Sequence, residues 1–178
     1  MTIRSTLDLL AEGSESKLSR VTLPYTRTAL SPSISSAAFD FHYGKLYKKY
    51  VDGYNDGDNK TFNEAGAYLH GLYFSQFNRP HGIKPYGHIL DIINRNYSNF
   101  IDFKKSIKEV ALKQTGSYWV YLSKSGQIKV IQNHAKRTDI AILLDMWEHS
   151  WVPDFHDKGK YIDSIWKIMD WAAINKRL

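Results

Sequence analysis

Tyr118-Trp119-Val120-Tyr121-Leu122-Ser123, then Lys124-Ser125-Gly126, then Gln127-Ile128-Lys129-Val130-Ile131-Gln132, is the stretch whose reading decides the fold. β-Branched and aromatic residues dominate it, the apolar period is two, and the middle triplet carries turn chemistry. A hairpin of two strands, 118–123 and 127–132, is therefore expected. Ile140-Ala141-Ile142-Leu143-Leu144 follows, short and wholly apolar. It reads as a third strand, and its unbroken apolar character places it at the centre of the sheet.

Upstream of this stretch the signals are helical. Ser31-Pro32 carries a cap followed by a first-turn proline, so a helix is expected from there to about residue 51. Gly53 and Asn55-Asp56-Gly57-Asp58 end it. A second helix covers about 62–77, and the pair reads as an antiparallel hairpin. Residues 79–85 hold two prolines and a glycine and mark a boundary. Pro85 opens a short helix at about 86–94. Ser98 caps another at about 99–114, whose apolar face is Phe100, Phe103, Ile107, Val110 and Ala111. Two helices, about 158–169 and 170–177, follow the strands, and residues 6–12 suggest a short helix ended by Gly13. The expected fold is α+β: an N-terminal antiparallel helical hairpin, then a three-stranded antiparallel sheet packed with helices. The expected divisions are an extension at 1–22, a hairpin domain at 23–80 and a C-terminal domain at 81–178.

Composition narrows the chemistry. The chain has 178 residues, 43% hydrophobic and 24% charged, which suits an ordinary globular protein. Aromatics reach 14%, and there is no cysteine, which excludes disulfides, thiolate metal sites and cysteine nucleophiles. The net charge is +6, but the basic residues are scattered. A solvated surface, or a field that attracts a small anion, outweighs a nucleic-acid footprint. No run approaches the roughly 20 apolar residues of a membrane span. The first residues show neither a signal core nor an acid-poor transit pattern, so a cytoplasmic location is the default.

Asp145-Met146-Trp147-Glu148-His149 follows the third strand, downstream of the isolated His42 and His70. One carboxylate and three imidazoles make a ligand set without sulfur. Such a set suits iron or manganese, and imidazole would also accept zinc or copper. Each histidine taken singly is more often an ordinary core or surface residue, and Asp145 is well placed to cap a helix.

The flanking residues carry a family resemblance. Leu23-Pro24-Tyr25, Ala29-Leu30-Ser31-Pro32 and Phe41-His42-Tyr43-Gly44-Lys45 come first. Tyr50-Val51, His70, Gly116-Ser117-Tyr118-Trp119 and Asp145-Met146-Trp147-Glu148-His149 follow, and Ile165-Trp166 with Asp170-Trp171 closes the series. In this order, over residues 23–178, the chain resembles the iron/manganese superoxide dismutases. The resemblance implies dismutation of superoxide to oxygen and hydrogen peroxide at one iron or manganese ion per chain. It implies His42, His70, Asp145 and His149 as metal ligands, and Tyr50 beside the substrate channel. Trp119 and Trp147 become aromatic walls of the pocket. Glu148 becomes a residue that crosses a homodimer interface to the partner's ligand histidine. Gly66 stands where iron enzymes often carry glutamine, so the outer-sphere hydrogen-bonding group is expected from the sheet, at His134. That pattern leans the expectation towards iron.

Departures accompany the match. Leu46 and Val152 replace a His–Tyr pair that meets across the family's interface. The hairpin is short, with His42 and His70 only 28 positions apart. His81, His88 and His156 match no family position and read as surface residues. These departures motivate a rival expectation, a dismutase-like structural or assembly protein that keeps the metal with little turnover. A polyanion-binding module is a distant third.

Overall fold

The computed structural model describes residues 17–178, so the helix expected at 6–12 lies outside the described residues. Three helical pieces run end to end: α1 (Ser36–Phe39), a π-helical segment (Asp40–Tyr47) and α2 (Lys48–Asn55). After a turn at 56–59, α3 (Lys60–Ser75) packs back against α2. This is the expected hairpin. Its start, however, is not Ser31-Pro32. The helix begins at Ser36, where the Ser35 hydroxyl accepts the Ala38 N–H at 3.1 Å and the Ser35 N–H goes to Asp154. A tertiary contact from the far end of the chain supports the cap at Ser35.

Next come α4 (His88–Tyr97) and α5 (Phe100–Leu112). The cap of α5 is Asn99 rather than Ser98: its side chain accepts the N–H groups of Ile101 and Asp102. Strands β1 (Tyr118–Ser123), β2 (Ile128–Gln132) and β3 (Ile140–Asp145) form one antiparallel sheet. Gly126, at φ +90°, makes the hairpin turn that a side chain would strain. Helices α6 (Glu148–Trp151), α7 (Lys158–Ile165) and α8 (Trp171–Lys176) complete the chain, with a 3₁₀ turn at Trp166–Ile168. No described helix is long and apolar enough to cross a membrane.

The strand order is β2-β1-β3, so β1 is central and the expectation that Ile140–Leu144 lies in the middle is wrong. The apolar run of β3 is nevertheless fully buried. Its outer edge is closed by α3 instead of by a strand. The Gln76 side chain, just beyond α3, accepts the Leu143 N–H at 3.0 Å and donates to the Leu143 carbonyl. A buried primary amide thus does for β3 what a neighbouring peptide would do. Asp170 N–H to the Gln76 carbonyl and a bridge between Phe77 and Met169 fasten the same corner. One core runs from Leu18 and Val21 through the hairpin and sheet to Ile174.

Candidate metal centre

The site forms where the hairpin meets the C-terminal end of β3. His42 lies in the π-helical segment, His70 in α3, Asp145 at the last position of β3 and His149 in α6. His42, His70 and Asp145 are buried, and the His149 side chain is 13% exposed. One ligand atom from each of the four lies within 4.8 Å of every other. The sequence pattern named these four, and the fold brings all of them together.

The π-helical segment contributes to that convergence. In a straight α-helix, eight residues overshoot two turns by roughly 80°, so His42 and Tyr50 would diverge. The wider π turns take up the excess. Both rings end 5.0 Å from the His70 ring. Gly66 allows the approach of Tyr50: a Cβ there would sit 2.7 Å from the tyrosine ring.

Hydrogen bonds set the donor atoms. The Gly66 carbonyl lies 2.7 Å from His70 Nδ1 and can only accept, so Nδ1 carries the proton and Nε2 presents its lone pair. Asp145 divides its oxygens. Oδ1 accepts the Trp147 N–H at 3.0 Å, which is the capping role such a position favours. Oδ2 lies 3.2 Å from both His42 Nε2 and His149 Nε2. Burial pushes the His42 pKa down to about 4 and the His70 pKa well below its ordinary value. Burial alone would raise Asp145, but the His149 and His42 imidazoles beside it hold it well below the carboxylate range. The arrangement is one carboxylate facing three imidazoles. His70 Nε2 is buried without a hydrogen-bond partner. Buried polar atoms left this way are costly unless something binds them. Metal–ligand bonds to nitrogen and oxygen run at about 2.0–2.2 Å, so donors clustered on this scale can share one ion. The residues fit a hard-to-borderline metal.

The other expected site residues are distributed around this cluster. Trp119 stands edge-on to His70 at 5.1 Å, and Trp147 packs against His149 at 5.7 Å. His134 follows β2, stacks on Trp147 at 4.6 Å and meets Tyr50 edge-on at 4.8 Å. The Trp119 indole N–H donates to His134 Nδ1 at 3.2 Å, which leaves the His134 proton on Nε2, a buried atom without a partner. Burial, with Asp145 nearby, pushes the Tyr50 hydroxyl up to about 12. Leu46 is half-buried, whereas Glu148 and Val152 face outward, Val152 at 51% exposure. His81, His88 and His156 stay outside the cluster.

Sequence reasoning missed three residues packed behind the cluster: Tyr73, Gln76 and Tyr161. The Tyr161 hydroxyl donates to the Asp145 carbonyl, and Gln76 holds Leu143. A signal was available for two of them, because Tyr73 and Gln76 follow His70 at three-residue steps along α3 and its extension.

Comparison with known proteins agrees with this geometry. Residues 85–177 match the family described as iron/manganese superoxide dismutases, C-terminal domain, and residues 18–65 match its alpha-hairpin domain. The chain is 32% identical to the superoxide dismutase [Fe] of Bacteroides fragilis over 88% of its length and 96% of that protein. It is 31% identical to the superoxide dismutase [Fe] of Saccharolobus solfataricus, covering 88% and 90%. The superoxide dismutase [Fe] of Escherichia coli strain K12 is 26% identical, covering 88% and 95%.

Proposed function

Because this chain belongs to the iron/manganese superoxide dismutase family, we propose that it converts superoxide to oxygen and hydrogen peroxide with one iron or manganese ion per chain. It is an enzyme of the superoxide dismutase type. The observation that carries the reading is the closure of three imidazoles and one carboxylate to within 4.8 Å, with the buried Nε2 of His70 unpartnered. His42, His70, Asp145 and His149 would hold the ion. When bound, the ion supplies one-electron exchange, accepting an electron from one superoxide and giving one to the next.

The residues around it have separable tasks. Asp145 would be the one anionic group among the four that hold the ion, so the loaded centre would stay attractive to an anionic substrate. His134 is fixed by Trp119 as an Nε2–H donor and offers a hydrogen bond towards the cluster. Reduction of superoxide to peroxide consumes two protons. The Tyr50 hydroxyl keeps its proton at neutral pH and orders the solvent that delivers them. The net charge of +6 draws superoxide to the surface. Iron is the favoured ion: the relatives above are superoxide dismutases [Fe], and His134 would supply the outer-sphere hydrogen bond.

The same reading includes a homodimer. Glu148 is exposed at the first position of α6, one turn before the exposed Val152. Glu148 would reach His149 of the partner subunit, and the symmetry of an isologous interface would repeat the contact. Metal content and dismutase rate measured on the same purified sample test the function. Activity should scale with iron or manganese occupancy. Fully loaded protein no faster than the free ion would leave a dismutase-like structural protein in its place.

A further inference from the structure

Asp145 has two handles besides its metal-facing oxygen. The carboxylate Oδ1 is tied to the Trp147 N–H, as described above. The backbone carbonyl is tied to Tyr161 of α7, whose hydroxyl donates to it at 2.8 Å. The Tyr161 hydroxyl lies 2.9 Å from the Tyr73 hydroxyl. Its single proton goes to the carbonyl, so the Tyr73 O–H must donate to the Tyr161 oxygen. The order is fixed: Tyr73 to Tyr161 to the Asp145 carbonyl. Both tyrosines are fully buried.

The first member of this chain belongs to the ligand helix. Tyr73 sits three residues after His70 on α3, and its ring lies 5.3 Å from His42 and 6.1 Å from Trp119. A displacement of Asp145 along β3 would therefore break a contact that leads back to His70 and His42. We infer that Tyr73 and Tyr161 act in series as positioning residues, setting the carboxylate of Asp145 against the three imidazoles through its own backbone. Neither touches the reacting atoms. Their influence runs through the placement of one ligand, which tunes how tightly the centre holds its ion and at what potential. The inference rests on the metal-site reading above.

The test uses the full-length iron-loaded protein and the variants Tyr161→Phe, Tyr73→Phe and their double. Iron affinity is read by chelator competition and ligand geometry by the ferric electron paramagnetic resonance spectrum. Ser33→Ala serves as control, because Ser33 also makes a buried hydrogen bond to a backbone carbonyl, that of Ser164, and touches no ligand. Tyr161→Phe should weaken iron binding by about 10–100-fold and shift the spectrum. Tyr73→Phe should do the same to a smaller degree. The double variant should be no worse than Tyr161→Phe, since members of one series chain are not additive. Ser33→Ala should lose stability with a wild-type spectrum and affinity. Wild-type affinity and spectrum in both tyrosine variants would overturn the inference, and so would an additive double variant. If Tyr161→Phe does not fold, Tyr73→Phe alone decides by the same readouts. A loaded, spectrally responsive protein without dismutase activity would sink the function while supporting the positioning. A wild type that takes up neither ion would overturn both.

Discussion

Asp145 and Val152 stand seven residues apart, and their surroundings are opposites. Asp145 is wholly buried, and three of its atoms are engaged: Oδ1 by Trp147, Oδ2 by two imidazoles and the backbone carbonyl by Tyr161. Val152 is half exposed, and its neighbour Glu148 points outward. The interior region is over-determined by this chain's own contacts. The outer region is an apolar and acidic surface that the fold leaves incomplete. The geometry of the four-residue cluster is thus written inside one chain, whereas the outer face of α6 is where the proposed partner subunit would meet it.

The contrast predicts where substitutions hurt. The largest effect belongs to the interior. His149→Ala should remove bound iron or manganese and dismutase activity together, read as metal stoichiometry and rate on one sample. Retained metal at wild-type stoichiometry would show that His149 is dispensable. Next comes the clamp on β3. Gln76→Leu leaves the buried N–H and carbonyl of Leu143 without partners, and each such group costs about 1–3 kcal/mol. Urea unfolding should register a loss of about 2–4 kcal/mol. A loss near zero would mean that the helix–strand corner is held by packing alone.

Protonation gives a graded version of the same contrast. Burial holds the His134 pKa down at about 4, against an ordinary value near 6.5. The unfolded chain therefore takes up this proton first as pH falls. The stabilising contribution is complete above pH 6.5 and is lost progressively as pH drops towards 4. Metal-free protein should follow that course in pH-dependent unfolding, and His134→Gln should flatten it. Identical slopes in the two proteins would remove His134 from the account.

The smallest effects on the fold are expected at the mouth, where the informative readout is turnover. Leu46 and Val152 supply no hydrogen bond or proton relay. Leu46→His with Val152→Tyr should raise turnover in pulse radiolysis, chiefly in the proton-consuming reduction of superoxide. Leu46→His alone buries part of an imidazole without a partner, costs about 1–3 kcal/mol and should weaken the proposed dimer. Equal turnover in wild type and the double variant, both fully metallated, would show that the mouth does not limit the reaction.

Much of this molecule was legible in its sequence, and the boundary is instructive. The stretch at 118–132 gave the hairpin through its β-branched and aromatic residues and its turn triplet, although β1 is buried at every position and shows no alternation of burial. The four ligands could be named because their spacing and flanking aromatics form an ordered pattern. Strand order was not legible. The apolar run of β3 reports burial, and burial by a helix is indistinguishable from burial by strands. The cap at Ser35 was not legible either, because the contact that supports it comes from Asp154, 119 residues away. Tyr161 was invisible for the same reason: its partner, Asp145, is sixteen residues away and nothing local demands the bond.

Gln76 has a consequence for how this architecture can be dismantled. Its amide is a molecular counterfeit of a strand, supplied by the hairpin to finish a sheet that belongs to the C-terminal half. A fragment of residues 81–178 would carry β3 with the Leu143 N–H and carbonyl bare and its apolar side chains intact, the combination that recruits foreign strands. Such a fragment should aggregate, and adding residues 17–80 in trans should rescue it. The two halves are then not interchangeable building blocks to be shuffled between relatives. A graft that kept every metal ligand but lost this one amide would inherit the chemistry and forfeit the solubility.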